Sequence, residues 1–256
     1  MRVWSFRSYS ADFKGVNMNL RVYDTPEEAS FETAAAVAGA IRENPGRLFC
    51  FAAGDTPLAM LRGLTALQAG GKVNLNLAYY AGLDECVGLG YGDKGSCAQV
   101  MRDTFYGPAG IAPERVHIFD GLNPSPEAEC RAMEKWIADR DGIFLTVLGV
   151  GMNGHIGFNE PNFPQTRGCV VVPLDATTQT VSQKYFDRPR TLEQGVTIGL
   201  PTLAAAEHVY VMAFGAKKAE IIQKAFFRGA APKVPASQLA GHPGLTLVLD
   251  KEAAGR

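Results

Sequence analysis

The densest set of side chains able to do chemistry lies in Leu148-Gly149-Val150-Gly151-Met152-Asn153-Gly154-His155-Ile156-Gly157-Phe158-Asn159-Glu160-Pro161. Closely spaced glycines let a backbone turn sharply after an apolar run and approach a ligand. His155 and Glu160 are five residues apart, and Asn153 stands two before the histidine. If the segment folds back on itself, the carboxylate orients the imidazole and holds it charged, a base-plus-orienter pair for acid–base catalysis. A satisfied structural histidine in a tight turn is the competing reading. His117, His208 and His242 lack such neighbours, and no HxxxH or His/Cys cluster signals a metal site.

Three further segments carry polar groups directly after apolar runs. In Gly54-Asp55-Thr56-Pro57 a glycine turn feeds a helix start, whose free N–H groups and positive dipole end cradle anions. Thr56 adds a hydroxyl, and Asp55 adds a negative charge unless it points away. A capped strand–helix turn would read the same way, and no Gly-Lys-Ser/Thr follows to make a Walker loop. Asp84-Glu85 offers two adjacent carboxylates, one of which can serve as a general base if partly buried. The plainer alternative is a solvated loop. In Gly215-Ala216-Lys217-Lys218 a lysine sits in a first helical turn, against the dipole, which a bound anion would compensate. The alternative is a solvated helix start.

The elements that must position these groups alternate. Residues 26–42 read as a helix capped by Thr25, with Pro26 at the first position and Glu28 completing a capping box. Apolar runs over 48–53, 77–83, 142–151, 170–174, 207–214 and 245–249 read as strands. Residues 57–67, 95–106, 126–138 and 217–227 read as helices. Such alternation predicts an α/β fold with a mostly parallel sheet and helices on both faces, as a single domain over residues 19–256 after an N-terminal arm, 1–18. Ligands of such sheets bind beyond the carboxyl ends of the strands, which is where the four polar segments fall.

The chain has 256 residues, of which 46% are hydrophobic and 20% charged, a globular balance that argues against disorder. The net charge of −1 gives no support to nucleic-acid binding. No apolar run is long enough to span a membrane, and the first residues lack a secretory signal pattern. Five widely spaced cysteines without a CxxC pair argue against a disulfide framework and point to free thiols in the cytoplasm. A homo-oligomer is compatible with the sequence.

At these residues the sequence resembles the amino-sugar-6-phosphate deaminase/isomerase family, typified by glucosamine-6-phosphate deaminase. The likeness runs from about residue 19 to 254 and is strongest in Leu83-Asp84-Glu85-Cys86-Val87-Gly88-Leu89 and in 149–161. Weaker matches are 54–57, Gly199-Leu200-Pro201-Thr202-Leu203, 215–219 and Pro235-Ala236-Ser237. The resemblance implies a Rossmann-like α/β sheet shared with ribose-5-phosphate isomerase and 6-phosphogluconolactonase. It implies conversion of glucosamine 6-phosphate or galactosamine 6-phosphate into the ketohexose 6-phosphate and ammonia, with neither organic cofactor nor metal. In that reading Asp84 moves the proton from C2 to C1. His155 opens the sugar ring, Glu160 orients it, and Asn153 stands where members carry Asp or Asn. Glu85 supports from behind, and Gly54, Asp55, Thr56 and Lys218 occupy the phosphate-binding positions.

The chain departs from the family pattern at three places. Asp55 intrudes in a phosphate loop that usually reads Gly-Gly-Thr-Pro or Gly-Ser-Thr-Pro. Gln179 stands where many glucosamine-type members carry Arg, with Arg167 and Lys184 as the substitute cations. Cys86 replaces an aromatic. The 174–179 stretch and Gly95-Ser96-Cys97 lean towards the galactosamine-6-phosphate branch. The end soon after Asp250 leaves no long C-terminal tail of the kind some regulated members have. Two alternatives accompany the deaminase reading: 6-phosphogluconolactone hydrolysis on the same scaffold, and a non-catalytic sugar-phosphate sensor.

Overall fold

The computed structural model of the protein describes residues 8–9, 18–161, 163–229, 231 and 233–256. Most of the expected N-terminal arm therefore lies outside the described residues. The elements follow in order as β1 (Ser8–Tyr9), β2 (Asn19–Tyr23), α1 (Pro26–Glu43), β3 (Leu48–Phe51), α2 (Asp55–Ala69), β4 (Tyr79–Gly82), β5 (Asp84–Cys86), α3 (Cys97–Met101), β6 (Val116–His117), α4 (Pro126–Ala138), β7 (Ile143–Gly149), β8 (Cys169–Pro173), α5 (Ala176–Ser182), β9 (Gln194–Ile198), α6 (Leu200–Leu203), β10 (His208–Ala213), α7 (Ala219–Ile222) and β11 (Leu245–Asp250).

Eight strands form the main sheet in the order β1-β2-β11-β10-β7-β3-β4-β6. Every pairing is parallel except β1 with β2. The apolar run of β7 is buried from Ile143 to Leu148, as a central strand covered on both faces must be. Its two faces belong to two separate cores. Phe49, Phe51, Tyr80 and Phe144 pack with α1 and α2 on one side. Cys50, Leu148, Val211 and Leu247 pack with α4 and the 221–226 helical segment on the other. Among the described residues no helix is long and apolar enough to cross a membrane.

The helix starts are set locally. Thr25 accepts a hydrogen bond from the Glu28 N–H at 3.1 Å, as the capping-box spacing predicts, while the Glu28 carboxylate reaches back one residue further than the motif requires, to the Asp24 N–H. α2 begins two residues earlier than expected. Gly54, with an extended backbone and no side chain to cap the helix, precedes Asp55 as its first residue. The helix expected over 95–106 begins at Cys97 and widens after Met101 into a π turn over 102–106. The helix expected over 217–227 starts with a 3-10 turn, Ala216–Lys218, and ends in a π turn over 223–227.

Sequence patterning missed a second, three-stranded antiparallel sheet, ordered β5-β9-β8. Asp84 and Glu85 are not the solvated loop after β4. They pair with Thr197 and Val196 of β9, so the chain leaves one sheet at Gly82 and enters another at Asp84. β2 was missed too; its five residues gain their partner only from the distant β11.

The order in which the chain connects the strands reverses between the parallel neighbours β3 and β7. From β3 the chain crosses through α2 to β4 on one side; from β7 it passes through the small sheet to β10 on the other. Adjacent strands whose connections diverge leave a crevice at their carboxyl ends, the usual ligand position in such folds.

Candidate active site

The crevice holds a cavity of about 350 Å³. Its walls come from all four segments singled out by spacing: Gly54, Asp55 and Thr56 after β3; Asp84 at the start of β5; Gly151, Met152 and His155 after β7; and Lys218 after β10. Asp84 and His155 thus face one space. Thr177, Thr178, Lys184 and Tyr185, from α5 and the turn after it, complete the wall.

The histidine is held from several directions. Its Nδ1 lies 3.0 Å from Thr178 Oγ1 and 3.4 Å from Glu160 Oε2. Asn153 Nδ2 donates to the same Glu160 oxygen at 3.1 Å, and Asn153 Oδ1 accepts the His155 peptide N–H at 3.1 Å. The segment folds back as its glycines allow: the Gly151 N–H bonds the His155 carbonyl at 2.9 Å. A β-carbon at 151 would collide with the imidazole, so only glycine lets the ring lie there. Glu160 is 3% exposed. Burial alone would raise its proton affinity, but His155, Thr178 and Asn153 outweigh that and hold the carboxyl below its ordinary range. A buried carboxylate kept ionised beside an imidazole fixes the orientation of the ring.

Asp84 is tuned the opposite way. Removal from water, followed by repulsion from Glu85, pushes its carboxyl up to about 7, against the opposing pulls of His155 and Cys97. A carboxylate of that affinity is a general base poised near neutral pH. Its neighbour Glu85 has no cavity role. It is buried, and accepts hydrogen bonds from Ser96 Oγ (2.7 Å) and from the N–H groups of Cys86, Cys97 and Ala98 (2.8, 3.1 and 2.8 Å). Glu85 therefore ties β5 to the start of α3, while its charge acts on Asp84.

The cavity wall also carries cationic groups. The open N-terminus of α2 contributes its dipole and free N–H groups. Lys218 Nζ donates to the Val150 carbonyl at 2.5 Å, and desolvation together with the nearby Lys184 charge lowers its proton affinity. Asp55 lines the cavity, and its carboxylate pairs with Lys184 at 2.5 Å. Of the two substitute cations, Lys184 reaches this wall; Arg167 does not line it. Gln179 faces away, its amide donating to the Leu174 carbonyl at 2.9 Å.

Sequence reasoning left out Thr178, Cys97 and Tyr185. Thr178 carried a weak signal, the Asp175-Ala176-Thr177-Thr178 capping pattern, in which Asp175 accepts the Thr177 N–H at 2.9 Å and turns α5 towards His155. Among the described residues no group of three His, Cys, Asp or Glu side chains has metal-holding geometry.

The sequence and the fold are similar to those of known proteins. Residues 25–248 match the family model described as glucosamine-6-phosphate isomerases/6-phosphogluconolactonase. The chain is 35% identical over 229 residues to a glucosamine-6-phosphate deaminase of Thermoanaerobacter pseudethanolicus, covering 89% of this chain and 90% of that one. It is 35% identical over 241 residues to one of Shouchella clausii, covering 93% and 96%. A solved structure described as a monomeric glucosamine-6-phosphate deaminase superposes with a TM-score of 0.89 at 30% identity, over 93% of this chain and 99% of the other. By sequence and fold together, the chain belongs to the glucosamine-6-phosphate isomerase/6-phosphogluconolactonase family.

Proposed function

We propose that the protein is an amino-sugar-6-phosphate deaminase/isomerase, converting an aminohexose 6-phosphate and water into the ketohexose 6-phosphate and ammonia. The observation that carries this reading is one cavity lined by Asp84, by His155 with Glu160 behind its imidazole, and by two lysines and the N-terminus of α2. His155 has Nδ1 engaged by Thr178 and Glu160, which leaves Nε2 to pass a proton to the ring oxygen as the sugar opens. The Asp84 carboxylate then takes the proton from C2, the electron pair forms the C1–C2 double bond, and O1 takes a proton from the substrate's own ammonium group to give the enol. The same carboxyl returns the proton to C1, leaving an imine at C2. Water adds to that imine, the carbon–nitrogen bond breaks, and ammonia leaves. Asn153 and Glu160 hold the imidazole in place, and Gly54, Thr56, Lys184 and Lys218 bind the phosphate.

Lactone hydrolysis is less well supported. A 6-phosphogluconolactonase of Trypanosoma brucei shares the fold at a TM-score of 0.71 and 20% identity. A lactonase needs no proton from carbon, whereas the raised affinity of Asp84 suits that task. The sensor alternative leaves the tuned Asp84 and the ordered histidine without a use. Ammonia release is to be assayed with glucosamine 6-phosphate, galactosamine 6-phosphate and the unphosphorylated amino sugars. Release from a phosphorylated aminohexose supports the reading and identifies the preferred C4 epimer. A folded protein that releases none from any of them overturns it.

A further inference from the structure

The Asp55–Lys184 pair sits in the subsite where the proposed substrate's phosphate would bind. Asp55 is the first residue of α2, and Lys184 belongs to the turn Gln183–Tyr185 that follows α5, so the pair bridges two walls of the cavity. Their separation is 2.5 Å, and the side chains retain 58% and 50% of their exposure. Exposed ion pairs hold weakly and are screened by salt, so an incoming anion can exchange with this one. Lys218 is differently placed. It is half-buried, and its ammonium is already anchored on the Val150 carbonyl at 2.5 Å. The exchangeable cation is therefore Lys184, and the group it holds in the free protein is a carboxylate of the chain itself.

We propose that Asp55 is a built-in competitor for the substrate's phosphate: its carboxylate occupies Lys184 in the free protein, and the phosphate binds by taking that lysine over. The inference rests on the deaminase reading for the identity of the phosphate bearer, but the exchange itself concerns only the anion. Three consequences follow from charge. Without Asp55 the anion no longer competes for Lys184 and no longer meets a nearby negative charge. Without Lys184, Asp55 is left uncompensated beside the helix N-terminus, and the anion is repelled. Removing both restores part of the hold, because the repulsion goes with the attraction. The two residues must therefore be coupled.

The test uses inorganic phosphate as the probe and the full chain, with dissociation constants measured by calorimetry at pH 8, at low and high salt. Asp55→Ser and Asp55→Asn are each expected to tighten phosphate by about 5–20-fold at low salt, and by less at high salt. Lys184→Ala is expected to weaken it by about tenfold, and the double variant Asp55→Ser/Lys184→Ala is expected to fall between the two single changes. Unchanged or weaker phosphate binding in both Asp55 variants overturns the proposal, as does a double variant that merely matches Lys184→Ala. Ammonia release is scored separately. Tighter phosphate binding without ammonia from any amino-sugar phosphate keeps the competitor and removes the deaminase. Ammonia release without tightening does the reverse.

Discussion

One amide side chain, that of Asn153, holds Glu160 and the histidine segment in register: Nδ2 donates to Glu160 Oε2 at 3.1 Å while Oδ1 takes the His155 peptide N–H at 3.1 Å. Asn153→Ala releases both. Turnover of the cyclic sugar is expected to fall about 10–100-fold, with a smaller loss on an open-chain analogue, because ring opening is the step that needs the ordered imidazole. Steady-state kinetics on the two substrates check this; equal losses would remove the ring-opening role.

Gly151 lies against the imidazole ring, in space that a β-carbon would fill. Gly151→Ala must turn the ring away from Thr178 and Glu160. The expected outcome is a folded protein with turnover lowered by about 100-fold, the scale of a displaced acid–base group. Circular dichroism and kinetics together distinguish this from unfolding.

Asp84, raised to about 7, must be ionised to act as the base. Turnover is therefore expected to fall roughly tenfold per pH unit below 7 and to level off above it. Asp84→Asn is expected to lose exchange of the C2 hydrogen with solvent while still binding the sugar phosphate; retained exchange would take Asp84 out of the chemistry. Stability moves the other way. The folded protein binds this proton more tightly than the unfolded chain does, so Asp84 contributes stability at low pH that is lost as pH rises through 7. Above pH 7 Asp84→Asn should thus exceed the wild type by about 1–2 kcal/mol in denaturant titrations, a figure reduced for the partial exposure of the group.

Glu85 accepts four hydrogen bonds from the start of α3 and from β5, and its charge raises Asp84. Glu85→Gln is expected to destabilise the fold by about 1–3 kcal/mol, since donors are left without their charged acceptor. It should also shift the acid limb of the activity profile to lower pH. A loss of stability with an unmoved limb would confine Glu85 to a structural role.

Lys218 reaches the cavity wall from the turn after β10. Lys218→Ala is expected to raise KM for the phosphorylated sugar about tenfold, with kcat changed far less, because a uniform binding contact is lost. An unchanged KM would place the phosphate elsewhere.

What the sequence determined by itself was the set of local decisions. Apolar runs such as that of β7, the Thr25–Glu28 cap and the glycines of 149–157 are signals among residues a few positions apart, and each yields its element almost independently of the rest. Because strands of a parallel sheet end on the same side, those signals also located Gly54, Asp84, His155 and Lys218 at one edge. The tertiary structure alone decided what these groups touch. The β5-β9-β8 sheet joins β5 to a strand, β9, that lies far along the chain (Asp84 opposite Thr197), and it buries Glu85 while presenting Asp84 to the cavity. Thr178 meets His155 across 23 positions, and Lys184 meets Asp55 across 129. Contacts of that span leave no periodicity in the chain, because they follow from how sheets and helices pack and not from any local preference.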